Sequence, residues 1–73
     1  MEILFEDQEI TIVTKPTDRV SEQTARGDGF ADLLAARNPK GYVGVVHRLD
    51  RGVGGVMVYA RTPAAAADYN LYL

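Results

Sequence analysis

Apolar residues in this chain come in short bursts whose period changes along the sequence, and the changes mark its elements. Ile3-Leu4-Phe5 is followed by polar Glu6-Asp7-Gln8 and then by Glu9-Ile10-Thr11-Ile12-Val13-Thr14, where β-branched residues dominate. That order predicts two antiparallel strands, near 3–5 and 9–14, joined by a tight turn. Lys15-Pro16-Thr17-Asp18 ends the second strand, because proline has no N–H for a ladder and the polar cluster favours a turn. No period holds from there to about Gly27. The spacing then lengthens. Phe30, Leu33, Leu34 and Arg37 fall at helical intervals with Ala31, Ala35 and Ala36 between them, which predicts a helix over about 29–37 with Asp28 as N-cap. Asn38-Pro39-Lys40-Gly41 stops it, since the residue before a proline is pushed out of the α region. Strands follow near 42–46 and 55–60, and Thr62-Pro63 opens a last helix as N-cap and first helical residue, continued by the alanines of 64–67.

The apolar face of the 29–37 helix needs a partner surface, and the alternating strands supply one. The expected fold class is therefore α+β, a mostly antiparallel sheet with one or two covering helices, in a single domain over 1–73. A chain of 73 residues buries only about 60% of its unfolded surface, so its stability margin is narrow. There is no cysteine, hence no disulfide, thiolate nucleophile or cysteine-based zinc site. No apolar run approaches the ~20 residues needed to span a bilayer, and the acidic amino terminus lacks the basic-then-apolar order of a signal peptide. These features lead to the expectation of a soluble, cytoplasmic protein with no membrane partner.

Charge is divided along the chain. Residues 1–36 carry eight acids against Lys15, Arg19 and Arg26, a balance of -5, whereas residues 37–73 carry five bases against Asp50 and Asp68, a balance of +3. Such asymmetry can mark an anion-binding face, although five scattered bases taken alone read first as a solvated surface. The basic half holds Val46-His47-Arg48-Leu49-Asp50-Arg51, in which one carboxylate sits between two guanidinium groups just before Gly52-Val53-Gly54-Gly55. Opposite charges nearby favour the ionised form of Asp50, and Arg48 and Arg51 offer planar donors suited to phosphate. The plain alternative is a surface ion pair worth ~0–1 kcal/mol. His47 is the only histidine, which excludes a multi-histidine metal site and favours a buried, hydrogen-bonded structural role. Lys15 is either a phosphate contact or an exposed cation before a turn. Tyr42 and Tyr59 could stack on a base, though strand tyrosines are more often core residues with a wet hydroxyl. The glycine run lacks the lysine and helix placement of a phosphate-binding P-loop.

Lys15-Pro16 after a strand, His47-Arg48-Leu49-Asp50, and Gly54-Gly55 followed by Val56-Met57-Val58-Tyr59-Ala60-Arg61-Thr62 occur in an order and at distances that resemble the amino-terminal part of RluA-type RNA pseudouridine synthases. The resemblance covers most of the chain. It implies a fragment of a pseudouridine synthase fold, an isomerase acting on rRNA or tRNA, and no cofactor or metal. It also implies a catalytic role for Asp50, with Arg48 filling the space vacated by a flipped base or holding its phosphate, and Arg51 and Lys15 contacting the RNA backbone. His47, Gly54 and Gly55 would support the loop. Two departures stand out. Val53-Gly54-Gly55 occupies the place where the family usually reads Thr-Ser-Gly, and the family's downstream tyrosine, basic and apolar motifs have no counterpart. The chain is thus expected to be an incomplete catalytic domain, inactive by itself. The alternative is a non-catalytic module binding RNA, or binding protein through exposed strand edges.

Overall fold

A computed structural model describes residues 2–49 and 52–70. Its elements are β1 (Glu2–Glu6), β2 (Ile10–Lys15), α1 (Phe30–Arg37), β3 (Gly44–Val45), β4 (Gly55–Ala60) and α2 (Pro63–Asn70). The strands form one antiparallel sheet in the order β1-β2-β4-β3, the α+β arrangement expected from the sequence. The β1–β2 turn is built by Asp7, whose Oδ1 accepts the N–H groups of Glu9 and Ile10 at 2.7 and 2.9 Å. These two backbone bonds hold its carboxyl below the usual aspartate range. β2 and β4 pair over six residues from Ile10↔Ala60 to Lys15↔Gly55 and form the centre of the sheet.

Strand alternation assigns the two faces. Thr11, Val13 and Lys15 of β2 and Met57 and Tyr59 of β4 are buried toward α1, whose Phe30, Ala31 and Leu34 complete the main core. The Phe30 and Tyr59 rings meet at 6.1 Å between centroids, tilted by 56°. Burying side chains such as Val13, Met57 and Phe30 is worth roughly 1.5–3 kcal/mol each. The opposite face is covered near Ala60 by α2 through Ala65, Ala66 and Tyr69, with Val46 completing that cluster. Small residues allow the close approach. A Cβ on Gly44 would lie 2.9 Å from that of Ala60 and 3.0 Å from that of Ala66.

The helix starts differ in how closely they follow expectation. Thr62 caps α2 as its sequence implies, its Oγ1 accepting the Ala65 N–H at 3.1 Å. The cap of α1 is Gly29 instead of Asp28. Asp28 is drawn into a turn with Thr24, whose hydroxyl donates to Asp28 Oδ1 at 2.6 Å and accepts the Asp28 N–H at 3.1 Å. The carboxylate serving the helix start comes from Asp32, in the first turn, where it accepts the Gly29 and Thr24 N–H groups at 2.9 and 3.0 Å. At the other end Asn38 Nδ2 donates to the carbonyls of Tyr42 and Arg61, tying the helix exit to the end of β4. The strand expected over 42–46 is reduced to Gly44–Val45.

One ion pair makes stability sensitive to acid. Arg37 donates to both oxygens of Glu6, at 3.1 and 3.4 Å, while Thr11 Oγ1 donates to Glu6 Oε2 at 2.7 Å. The Thr11 hydroxyl first, and Arg37 second, hold the Glu6 carboxyl below its ordinary value of 4.5. A carboxyl depressed in the folded state stabilises above its unfolded pKa and loses that contribution as pH falls through its folded pKa. Urea midpoints measured below pH 4.5 are therefore expected to fall less steeply in Glu6→Gln than in the parent, by no more than about 1 kcal/mol for so exposed a pair.

Candidate active-site loop and its supports

The run from His47 leaves the edge of the sheet, and each described residue in it is anchored. Val45 ends β3, and on that side of β4 the next acceptor is a side chain: the Val58 N–H donates to His47 Nε2 at 3.0 Å. An accepting Nε2 requires the neutral ring with its proton on Nδ1. Arg48 projects outward, and its Nη1 lies 3.5 Å from Glu22 Oε2. Leu49 turns inward and packs against the main core, as the alternation of an extended chain requires. Its backbone is held by one side chain. Ser21 Oγ accepts the Leu49 N–H at 2.8 Å and donates to the Leu49 carbonyl.

Asp50 and Arg51 lie outside the described residues, and with them the expected carboxylate between two guanidinium groups. The chain beyond them is anchored again. Gly52, with φ +88°, donates its N–H to the Thr17 carbonyl at 2.9 Å, a conformation that favours glycine. The Val53 carbonyl accepts Lys15 Nζ at 2.8 Å. A Cβ on Gly54 would come within 3.1 Å of the Lys15 carbonyl oxygen, and one on Gly55 within 3.3 Å of Leu49 Cδ1, so both glycines permit close packing of the return loop.

Lys15 is therefore not the exposed cation that its position before a turn suggested. It is 1% exposed, and its ammonium donates to the carbonyls of Pro16 and Val53 at 2.8 Å each. Its inward position follows from the alternation that buries Thr11 and Val13. Tyr59 is equally buried, which removes it from any base-stacking surface. Its hydroxyl donates to the Ser21 carbonyl at 2.7 Å, and burial first, then the Glu22 charge, push its pKa upward. Tyr42 is half-buried.

Sequence reasoning missed Ser21, Glu22 and Thr17. All three belong to the stretch without hydrophobic period, and that stretch is nonetheless ordered by specific bonds. Phe30 N–H donates to the Val20 carbonyl at 2.9 Å, and Ser21 is fully buried. The available signal was local and slight: Val20-Ser21 is an apolar residue followed by a small hydroxyl inside an otherwise charged stretch. The arrangement that results is one segment, 15–22, gripping the chain immediately before and after residues 50–51.

Comparison with known proteins shows the family. The sequence pattern of RNA pseudouridylate synthases matches residues 9–73. An uncharacterised RNA pseudouridine synthase of Mycoplasma genitalium is 37% identical over 68 residues, covering 89% of this chain and 22% of its own length. Ribosomal large subunit pseudouridine synthase D of Xylella fastidiosa is 40% identical over 68 residues (85% of this chain, 20% of that protein), and its Escherichia coli counterpart 38% over 71 residues (89% and 22%). The chain spans about a fifth of the length of these relatives. With the match extending over nearly all of its elements, the chain belongs to the RluA-type family of RNA pseudouridine synthases.

Proposed function

We propose that this segment carries the catalytic carboxylate, Asp50, of an enzyme that isomerises uridine in RNA to pseudouridine. The observation that carries the reading is the double anchorage of the chain around residues 50–51. Leu49 is bound to Ser21 on one side, and Gly52 and Val53 are bound to Thr17 and Lys15 on the other. A surface ion pair needs no such support, whereas a reacting group does, because about 1 Å of misplacement can cost ~10²-fold in rate.

In the isomerisation the C1′–N1 bond of uridine breaks, the base turns, a C1′–C5 bond forms, C5 loses its proton and N1 gains one. No electrons are gained or lost overall. The uridine has to leave its stack, at a cost of a few kcal/mol that is least in loops and single strands. Asp50 serves as the ionised carboxylate, adding to base or sugar or assisting cleavage and proton transfer. In this reading Arg48, which is exposed and close to Glu22, turns to RNA phosphate or fills the vacated stack. Arg51 is a second candidate for the backbone. The names of the relatives favour ribosomal RNA of the large subunit over tRNA as substrate. A chain without cysteine suits the reducing cytoplasm. The rest of the pocket is expected from a region corresponding to the remaining four-fifths of the relatives, so this segment by itself should be inactive.

Lys15 contributes to RNA binding through the loop and not by direct phosphate contact, since its ammonium is committed to two carbonyls. Residues 9–70 substituted for the matching part of the Escherichia coli relative provide a test. Arg48→Ala is expected to weaken RNA binding or flipping about tenfold and to lower the slope of log K against log salt by about one. Lys15→Met should leave that slope unchanged while reducing turnover. A slope reduced by Lys15→Met as much as by Arg48→Ala would restore Lys15 to the RNA-contacting set.

The second reading, a non-catalytic binding module, draws on one observation. Phe5 and Val56 lie on the sheet face away from α1 and are 49% and 59% exposed. Pseudouridine formation that depends on Asp50 separates the two readings.

A further inference from the structure

Ser21 engages Leu49 in a way that backbone pairing alone does not require. Its single hydroxyl meets both the N–H and the C=O of Leu49, donating to one and accepting from the other. The Leu49 carbonyl belongs to the rigid peptide group that joins it to residue 50, so a donor fixed on that oxygen restrains the last described peptide group before Asp50. Ser21 is itself immobilised. It is fully buried, its carbonyl accepts the Tyr59 hydroxyl at 2.7 Å, and the preceding carbonyl, of Val20, accepts the Phe30 N–H at 2.9 Å. Tyr59 stands on β4 within the main core, and Phe30 begins α1. A chain of contacts thus runs from the centre of the sheet through Tyr59 and Ser21 to the residue before Asp50.

We infer that Ser21 is a positioning residue for the reaction, aligning the Asp50 carboxylate through the Leu49 peptide group, with the Tyr59 hydroxyl holding Ser21 in place. The inference rests on the reading of Asp50 as the catalytic carboxylate. At neutral pH the Tyr59 phenol carries its proton, as its donation to the Ser21 carbonyl requires, and burial favours that form further. A positioning role lowers the rate of the bound complex and spares RNA affinity.

The test uses the same chimera on a large-subunit ribosomal RNA transcript, with single-turnover rate at saturating RNA and Kd measured separately and each normalised to folded protein. Ser21→Ala is expected to lower the rate by about 10- to 100-fold with Kd within about twofold of the parent. Ser21→Thr, which keeps the hydroxyl, should recover most of the rate. Tyr59→Phe keeps the ring and removes the donor, and should lower the rate by a smaller factor; it carries the test if Ser21→Ala does not fold. A parent-like rate in folded Ser21→Ala, or in Tyr59→Phe where Ser21→Ala is unfolded, would overturn the inference provided Asp50→Asn is inactive. Activity retained by Asp50→Asn would instead strike the reading beneath it.

Discussion

Asp50→Asn, in a chimera carrying residues 9–70 within the Escherichia coli relative, is expected to lower pseudouridine formation by at least about a thousandfold while leaving fold and RNA affinity in place. Asparagine keeps the size and planarity of the side chain and loses the charge, the basicity and the capacity to add to a carbon. The described contacts on either side of position 50 do not use its side chain. They are made by the backbone of Leu49, Gly52 and Val53 with Ser21, Thr17 and Lys15. A change confined to that side chain leaves these bonds in place. Pseudouridine content of treated RNA measures the rate, and circular dichroism with a urea midpoint measures the fold. Undiminished product from Asp50→Asn would remove Asp50 from the mechanism.

The largest loss of stability is expected at Gly29. Its φ of -73° is ordinary for any residue, so conformational freedom is not the reason for glycine here. Space is. A Cβ built on Gly29 would lie 1.8 Å from the carbonyl oxygen of Glu22, a backbone atom that moves only if the 20–22 segment moves. That segment is held by the Phe30–Val20 bond and by Tyr59 on Ser21, so relief of the clash would break one or both. Overpacking ordinarily costs ~1–3 kcal/mol and occasionally more, and a collision with backbone belongs at or beyond the upper end. Against a total of about 4–11 kcal/mol for a domain of this size, Gly29→Ala should shift the urea midpoint severely or leave the chain unfolded. Gly27 provides the contrast, with φ +75° and nothing within 4 Å of its Cβ position. Gly27→Ala should cost only the left-handed conformation, about 1–2 kcal/mol. A Gly29→Ala protein no less stable than Gly27→Ala would show that the 20–22 segment yields easily, and would weaken the case for a rigid support beneath the loop.

Legibility in the sequence followed the range of the interaction. The β1–β2 hairpin, α1, β4 and α2 are carried by local signals: β-branched runs, helical spacing and the Thr62-Pro63 start. Those elements form at or within a residue or two of the expected positions. Asp28 looked like a cap because cap propensity is read one residue at a time, whereas Thr24 and Asp32 compete for the same turn and leave the cap to Gly29. Strand alternation points Lys15 inward, but the carbonyl that lets its ammonium be buried there, that of Val53, is 38 positions away. Ser21 was invisible for the same reason, with partners at Leu49 and Tyr59 on the far side of the chain. The motif around Asp50 could be recognised, but the segment that holds it could not. That segment has neither hydrophobic period nor repeated chemistry, only polar contacts that exist once the sheet has closed.

The most direct measurement is the pseudouridine content of large-subunit ribosomal RNA from Escherichia coli cells in which the native synthase D has been replaced by the chimera carrying residues 9–70. The account predicts pseudouridine at the positions the native enzyme modifies. It would be contradicted if a folded chimera that binds the RNA left those uridines unconverted.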